Sequence, residues 1–307
     1  MTGTGTTGSS ARTGSGNGGA RTRGLPLLAA DLDRTLIYSA AALGLDMPDG
    51  EAPRLLCVEV YEGRPLSFMT ETAARLLAET AGAAGEPTRT PPGQERCVFV
   101  PATTRTPEQY RRVRLPGGPP RYAVCANGGH LLVDGESDPE WHEHVRRRLA
   151  ACAPLDEVSE RLRTSSAEGD WVLKRRVADG LFAYLVVDRE RLPTTWVKEL
   201  AAWAAPRGWT VSLQGRKLYA VPGSLTKSAA VAEVARRTGA TRIHAAGDSL
   251  LDADMLLAAD GGWIPGHGEL AGSGWRAAHV TALAERGVAA GERIVGEMHA
   301  LAAATGA

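Results

Sequence analysis

Short apolar runs that stop at an acid or a hydroxyl recur along the chain. Residues 25–30 (LPLLAA) are apolar without alternation and end at Asp31. Such a run predicts a strand buried on both faces, as in a parallel sheet. Residues 97–102 (CVFVPA) and 121–126 (RYAVCA) predict two more strands, and residues 242–246 and 261–264 a further two. Helical spacing fills the intervals. Residues 70–80 carry strong helix formers behind Thr70, a suitable N-cap. A helix is expected from Pro107, another from Thr226 through Arg237, and a short one over 255–259. Gly and Pro make residues 81–94 and 115–120 breakers.

The pattern changes in the middle. Residues 139–153 predict a charged helix. Residues 171–177 and 181–188 predict strands paired around Asp179-Gly180. Residues 194–205 predict a helix that Pro206 and Gly208 stop. Residues 209–213 and 217–221 predict a second hairpin around Gln214-Gly215. This α-β-β-α-β-β order suits an antiparallel sheet with helices on one face. The expected organisation is an α/β core of residues 25–133 and 222–307, with a Rossmann-like, mostly parallel sheet. An α+β insert at residues 134–221 interrupts it. Residues 1–24 are nearly all Gly, Thr, Ser, Ala and Arg, bury too little to offset ordering entropy, and predict a disordered tail.

Composition narrows the function. The 307 residues carry 35 basic and 35 acidic side chains, for a formal net charge of zero. A general nucleic-acid binder needs a basic face, so no nucleic-acid partner is expected. No apolar run is long enough to span a bilayer, and no membrane partner is expected. The tail lacks an amphipathic helix and the apolar run behind it is short, so neither a transit nor a signal peptide is read. Cys57, Cys97, Cys125 and Cys152 are scattered with no CxxC pair, which predicts buried free thiols and a reducing, cytoplasmic setting. Oligomeric state is not legible.

Four polar clusters fall where strands of an open α/β sheet end, which is where such folds place ligands. They are Asp31-Leu32-Asp33-Arg34-Thr35, Thr103-Thr104-Arg105-Thr106, Lys227 at a helix start, and Gly247-Asp248-Ser249-Leu250-Leu251-Asp252. The set suits phosphoryl transfer. A phosphomonoester and a carboxylate nucleophile are both negative, so a divalent cation and a fixed ammonium must screen their approach. Asp31 is the candidate nucleophile and Asp33 the candidate acid/base. Thr103 and the amide of Thr104 are candidate phosphate ligands. Lys227 is placed to neutralise nucleophile and phosphate. Asp248 completes a hard oxygen site with Asp31 that suits Mg2+. Asp252 is a candidate to orient Lys227 or a metal-bound water. His142 and His144, at i and i+2 on one helix, point to different faces and are read as solvated.

In order and type these motifs resemble the haloacid dehalogenase superfamily, on the branch with a type-two cap inserted before the motif lysine. The insert resembles the smaller form of that cap, as in the sucrose-phosphate, trehalose-phosphate and mannosyl-3-phosphoglycerate phosphatases and the phosphomannomutases. The resemblance implies a magnesium phosphatase that works through an aspartyl phosphate on Asp31. Its Mg2+ would be held by Asp31, Asp248 and the backbone carbonyl of Asp33. The implied partner is a small phosphorylated metabolite, with sugar phosphates leading. A phosphomutase and a non-catalytic phosphometabolite sensor are the alternatives. Three positions depart from the family pattern: Arg34 and Thr104 stand where it has Gly, and Leu251 where it has Asn.

Overall fold

The computed structural model describes residues 1–3, 24–82 and 96–305, so most of the expected tail and of the 81–94 loop lies outside the described residues. The elements follow in chain order. The first half has β1 (Pro26–Ala30), β2 (Leu55–Tyr61), β3 (Arg64–Thr70), α1 (Glu71–Thr80), β4 (Val98–Pro101), α2 (Pro107–Tyr110), β5 (Tyr122–Cys125), β6 (His130–Val133) and β7 (Glu136–Ser137). Next come α3 (Pro139–Leu149), α4 (Leu155–Ser165), β8 (Val172–Ala178), β9 (Phe182–Val187), α5 (Thr194–Ala204), β10 (Trp209–Gln214) and β11 (Lys217–Pro222). The chain closes with α6 (Lys227–Thr238), β12 (Arg242–Ala246), α7 (Ala253–Ala258), β13 (Gly261–Ile264), α8 (Gly268–Gly272), β14 (Val280–Ala282) and α9 (Gly287–Thr305).

A parallel sheet in the order β14-β13-β12-β1-β4 forms the core. Beyond β4, a parallel bridge between Ala102 and Val124 brings β5 alongside. Strand order therefore reverses between β1 and β12, and the crevice at that switch point lies where such sheets bind ligands. Every residue of β1 is buried. Leu27 and Ala29 join an apolar cluster with Val231 and Val234 of α6, while Leu28 and Ala30 join one with Leu77 of α1 and Ile294 of α9. That two-sided burial is why β1 carries no polar alternation.

The second sheet is antiparallel, in the order β10-β11-β9-β8. Leu185 and Leu218 are register partners and turn toward helices α4 and α5, where Leu162 and Leu200 are buried. Tyr184 and Tyr219 are also partners and occupy the opposite face, with Lys217, Gln214 and Ser212 at matching register positions. Alternation thus makes one face an apolar seat for helices and the other a polar, aromatic surface.

The expected strands and helices of the core form with end shifts of a few residues. The middle differs. The helix expected over 139–153 stops at Leu149, and Pro154, which cannot donate to a preceding turn, separates it from the unexpected α4. Only Val158 and Leu162 of α4 are buried, so its apolar stripe is too narrow to read. The second hairpin turns at Gly215-Arg216 rather than Gln214-Gly215, because Gln214 pairs with Lys217. The hairpin β2–β3, which the sequence did not suggest, has a largely exposed β2 with only two buried residues. Of the cysteines only Cys125 is buried, and Cys57 on β2 is an exposed thiol. Their apolar neighbours misled because β2 shows one face to solvent. Among the described residues no helix is long and apolar enough to cross a membrane.

Leu28 tests the two-sided core. It is fully buried in the central strand. Leu28→Ala should cost about 3 kcal/mol through lost transfer energy and an unfilled cavity. Chemical denaturation would measure the loss, and a change under about 1 kcal/mol would contradict this packing.

Candidate active site

Asp31 leaves the C-terminal end of β1 with its amide bonded to the Ala246 carbonyl at 2.9 Å, which ties it to the end of β12. Asp248 follows β12, so the two carboxylates face each other across the switch-point crevice. Lys227 is the first residue of α6. Its ammonium is fully buried and lies 2.5 Å from Asp31 Oδ1 and 2.6 Å from Asp252 Oδ1. Three devices fix that helix start. Thr226 caps it, its hydroxyl accepting from the Ala229 amide. The loop before it is clamped by Asn127, whose side-chain amide donates to the Leu225 carbonyl at 2.7 Å. Gly128 (φ +95°) packs so close that a Cβ there would lie 2.2 Å from the Thr226 carbonyl oxygen, so only glycine fits.

Asp252 is spent within the protein. Its second oxygen accepts from the amides of Asp248 and Ser249 and from the Ser249 hydroxyl. That bonding leaves it to orient Lys227 and the Asp248 loop. Asp31, Asp248 and Asp252 each offer a carboxylate oxygen within 4.8 Å of the others. The trio crowds negative charge. Burial pushes the Asp248 carboxyl up to about 7, with Asp252 adding to the rise and Arg34 opposing it. Burial likewise raises Asp31, against the pull of Lys227. Burial opposes the charge on Lys227, but Asp252 and Asp31 outweigh it and hold the ammonium protonated. Hard oxygen donors with surplus negative charge fit a divalent cation such as Mg2+, with Asp31 and Asp248 as the side chains free to hold it.

Asp33 lies at the mouth, its side chain 39% exposed. Arg105 grips it with two parallel bonds of 2.8 Å. Burial raises its pKa, but the Arg105 guanidinium outweighs that and brings it down to about 2. Arg105 is held in turn by Glu59 of β2 at 2.9 Å, and Ser67 of β3 donates to Glu59 at 2.7 Å. The hairpin thus completes a chain of charge from its own buried Glu59 to Asp33. Thr103 is fully buried, and its hydroxyl accepts from the Arg105 amide at 3.1 Å. The Thr104 hydroxyl lies 3.2 Å from that of Tyr219.

All seven expected site residues therefore converge on one end of the parallel sheet. The polar face of the second sheet meets them there. Besides the Tyr219–Thr104 contact, Gln214 donates to the Ser249 hydroxyl at 2.7 Å, and Glu269 accepts from the Ser212 hydroxyl and the Leu213 amide. Lys174 and Arg176 share that face on the outer strand β8, while Arg175 turns to Ser166, which caps the end of α4. Two surface clefts, of about 210 and 600 Å³, are lined by residues such as Thr80 and His299, or Thr70 and Glu292. Neither contains a residue of this site.

No family model and no curated protein matches the sequence. Solved structures do match. Sucrose-phosphatase from Synechocystis sp., solved with sucrose and phosphate, superposes with a TM-score of 0.58 at 16% identity, over 90% of this chain and 98% of that one. A phosphatase of the HAD superfamily from Bacteroides thetaiotaomicron matches with a TM-score of 0.50 at 14% identity, over 94% and 100% of the two chains. A Thermoplasma acidophilum protein gives 0.54 at 12% identity, over 89% and 98%. The fold is that of the haloacid dehalogenase phosphatases.

Set in the haloacid dehalogenase fold, the departures acquire structural reasons. Arg34 has φ +67°, the left-handed region that favours glycine. Its guanidinium reaches inward, with Nε 3.1 Å from Asp248 Oδ2. Leu251 is buried in the core cluster with Met255 and Leu256, so this position fills space instead of offering a polar contact. Sequence reasoning missed Glu59, Ser67, Lys217 and His267. His267 has a local signal, the Pro265-Gly266-His267-Gly268 run after the Trp263-Ile264 strand end, but its partners are distant. Its Nδ1 accepts from the Gly287 amide at 3.1 Å, which leaves Nε2 to donate to the Arg34 carbonyl at 2.8 Å. Gly268, at φ +91°, passes so close to Asp248 that a Cβ would lie 2.6 Å from Oδ2.

His267 must be neutral for these bonds, and burial lowers its pKa to about 4. Below about pH 6.5 the unfolded chain binds a proton at this residue that the folded chain refuses until about pH 4. Its contribution is therefore present above pH 6.5 and falls as pH drops through that window, by roughly 3 kcal/mol at most. His267→Asn should be less stable at pH 7.5, and the gap to wild type should narrow toward pH 4.5. Melting curves across this range check it, and a constant gap would contradict it.

Proposed function

We propose that this chain is a magnesium-dependent phosphohydrolase of the haloacid dehalogenase type, acting on a small phosphorylated metabolite, with sugar phosphates as the leading class. One observation carries the reading. A carboxylate at the end of the central strand, Asp31, is gripped on one oxygen by a buried ammonium and faces Asp248 across the sheet's switch point. The phosphatase and sucrose-phosphatase structures that share the fold support it.

Lys227 engages Asp31 Oδ1, so Oδ2 is the attacking oxygen. It forms a bond to phosphorus as the bond to the leaving oxygen breaks, giving an aspartyl phosphate. Thr103 and the Thr104 amide hold the transferring oxygens, and Lys227 offsets their charge. Asp33 gives the leaving oxygen its proton, then takes one from the water that hydrolyses the aspartyl phosphate and restores Asp31. Arg105 keeps Asp33 in its base form, which suits the second step directly. For the first step the solvent-exposed Asp33 must take a proton from water as the Arg105 contact loosens, which an incoming dianion favours by drawing on the same guanidinium. Mg2+ would be held by Asp31, Asp248 and the Asp33 carbonyl, and supplies screening between nucleophile and phosphate.

Residues 134–221 serve as the cap over this site. Its polar face presents Lys217, which has Asp33 as a charge partner, beside the Tyr184 ring at 5.9 Å. A polyol can stack on Tyr184 and Tyr219 while an anionic or hydroxyl group meets Lys217. The chain works away from membranes and nucleic acids, in the cytoplasm.

Asp31→Asn keeps shape and removes the attacking charge. Hydrolysis of an aryl phosphate in Mg2+ should fall by several orders of magnitude, with the protein still folded and melting cooperatively. Excess chelator should abolish wild-type activity and Mg2+ restore it. More than about a tenth of wild-type turnover in the variant, or full activity in chelator, would overturn the reading.

A further inference from the structure

We propose that Arg34 is a tethered cation that occupies Asp248 until a divalent ion displaces it, so that loading of the site is a competition between an arginine of this chain and the metal. The inference rests on Asp31 and Asp248 as the metal ligands, and goes further by giving the departure at position 34 a role.

The geometry builds the contact from backbone outward. Arg34 adopts φ +67°, which strains a non-glycine residue and persists where the surroundings enforce it. Here they do. The Arg34 amide donates to the Ile37 carbonyl at 2.8 Å, and its own carbonyl accepts from His267 at 2.8 Å. With the backbone pinned, the side chain runs to Asp248, where Nε donates to Oδ2 at 3.1 Å. The acceptor is buried, at 4% exposure, while the arginine is one-third exposed. The guanidinium therefore has a way out to solvent and the carboxylate has none. Gly268 lies beside the same oxygen, where even a Cβ would come within 2.6 Å of it.

The remaining cations are committed elsewhere. Lys227 bonds Asp31 and Asp252, and Arg105 bonds Asp33 and Glu59. Among the described residues Arg34 is the side-chain cation bonded to Asp248. An ion that takes Asp248 meets the guanidinium's charge on the same carboxylate, and one that takes Oδ2 must break this pair and release the guanidinium to the site mouth. The pair lowers apparent cation affinity and holds the metal-free site together by neutralising one of three crowded carboxylates.

Isothermal titration with Mn2+ on the full chain tests this without any turnover. Arg34→Gly removes the charge and the backbone strain, while Arg34→Ala removes the charge and keeps the strain. Both should bind Mn2+ about tenfold more tightly than wild type. In chelator both should show a larger gain in Tm on adding Mn2+ than wild type does. Asp248→Asn should lose binding in the wild-type and Arg34→Gly backgrounds alike. Unchanged or weaker affinity in both arginine variants overturns the competition and leaves the metal site standing. Tightening in Arg34→Gly alone also overturns it, because strain relief would then be the cause. Binding that survives Asp248→Asn, or no binding in any variant, removes the metal reading and this inference together.

Discussion

The buried ammonium of Lys227 is the interaction on which the site depends. A lone charge at zero exposure would cost several kcal/mol, so it is tolerated only with partners. Asp31 from the end of β1 and Asp252 from the loop after β12 supply them. That triad joins the central strand, its neighbour and the helix that returns from the second sheet. The converse also holds. Three carboxylates whose oxygens lie within 4.8 Å repel one another, and without Lys227 the strand ends that carry them would be driven apart. The Thr226 cap, the Asn127 clamp and the close approach of Gly128 all serve to put one helix start in one place.

A second layer follows from the same surplus of charge. Lys227 meets two carboxylates, which leaves Asp33 and Asp248 to find cations of their own. Asp33 finds Arg105, which the hairpin β2–β3 holds with Glu59 and Ser67. Asp248 finds Arg34. Each of these arginines stands inside a motif cluster, Arg105 held by hairpin side chains and Arg34 by its backbone bonds to Ile37 and His267. The second sheet closes the arrangement by placing its polar face against Thr104, Ser249 and Glu269.

Much of this was legible in the sequence for one physical reason. A strand buried on both faces must be apolar throughout, so the first polar residue after it marks the sheet's ligand-binding edge. Asp31 and Thr103 stand out on that basis, Asp248 follows the two buried alanines that end β12, and Lys227 follows a hydroxyl N-cap. The hidden parts share a different character. Glu59 sits in an exposed strand that a periodicity reading passes over. Arg34 lies 214 positions from its carboxylate partner, and His267 lies 233 positions from the carbonyl it bonds. The sign of a charge is visible in one dimension, but its partner is not. Helix α4 was missed because Pro154 opens it without a hydroxyl cap and two residues alone anchor it.

The central claim is that Asp31 becomes covalently phosphorylated. The direct measurement is rapid acid quenching of the full chain with a radiolabelled aryl phosphate in Mg2+, followed by peptide mapping of the label. The account predicts a transient, hydroxylamine-sensitive label on the peptide that contains Asp31, formed no more slowly than steady-state turnover. Product release at an undiminished rate with no label there, or with label on another residue, would contradict it.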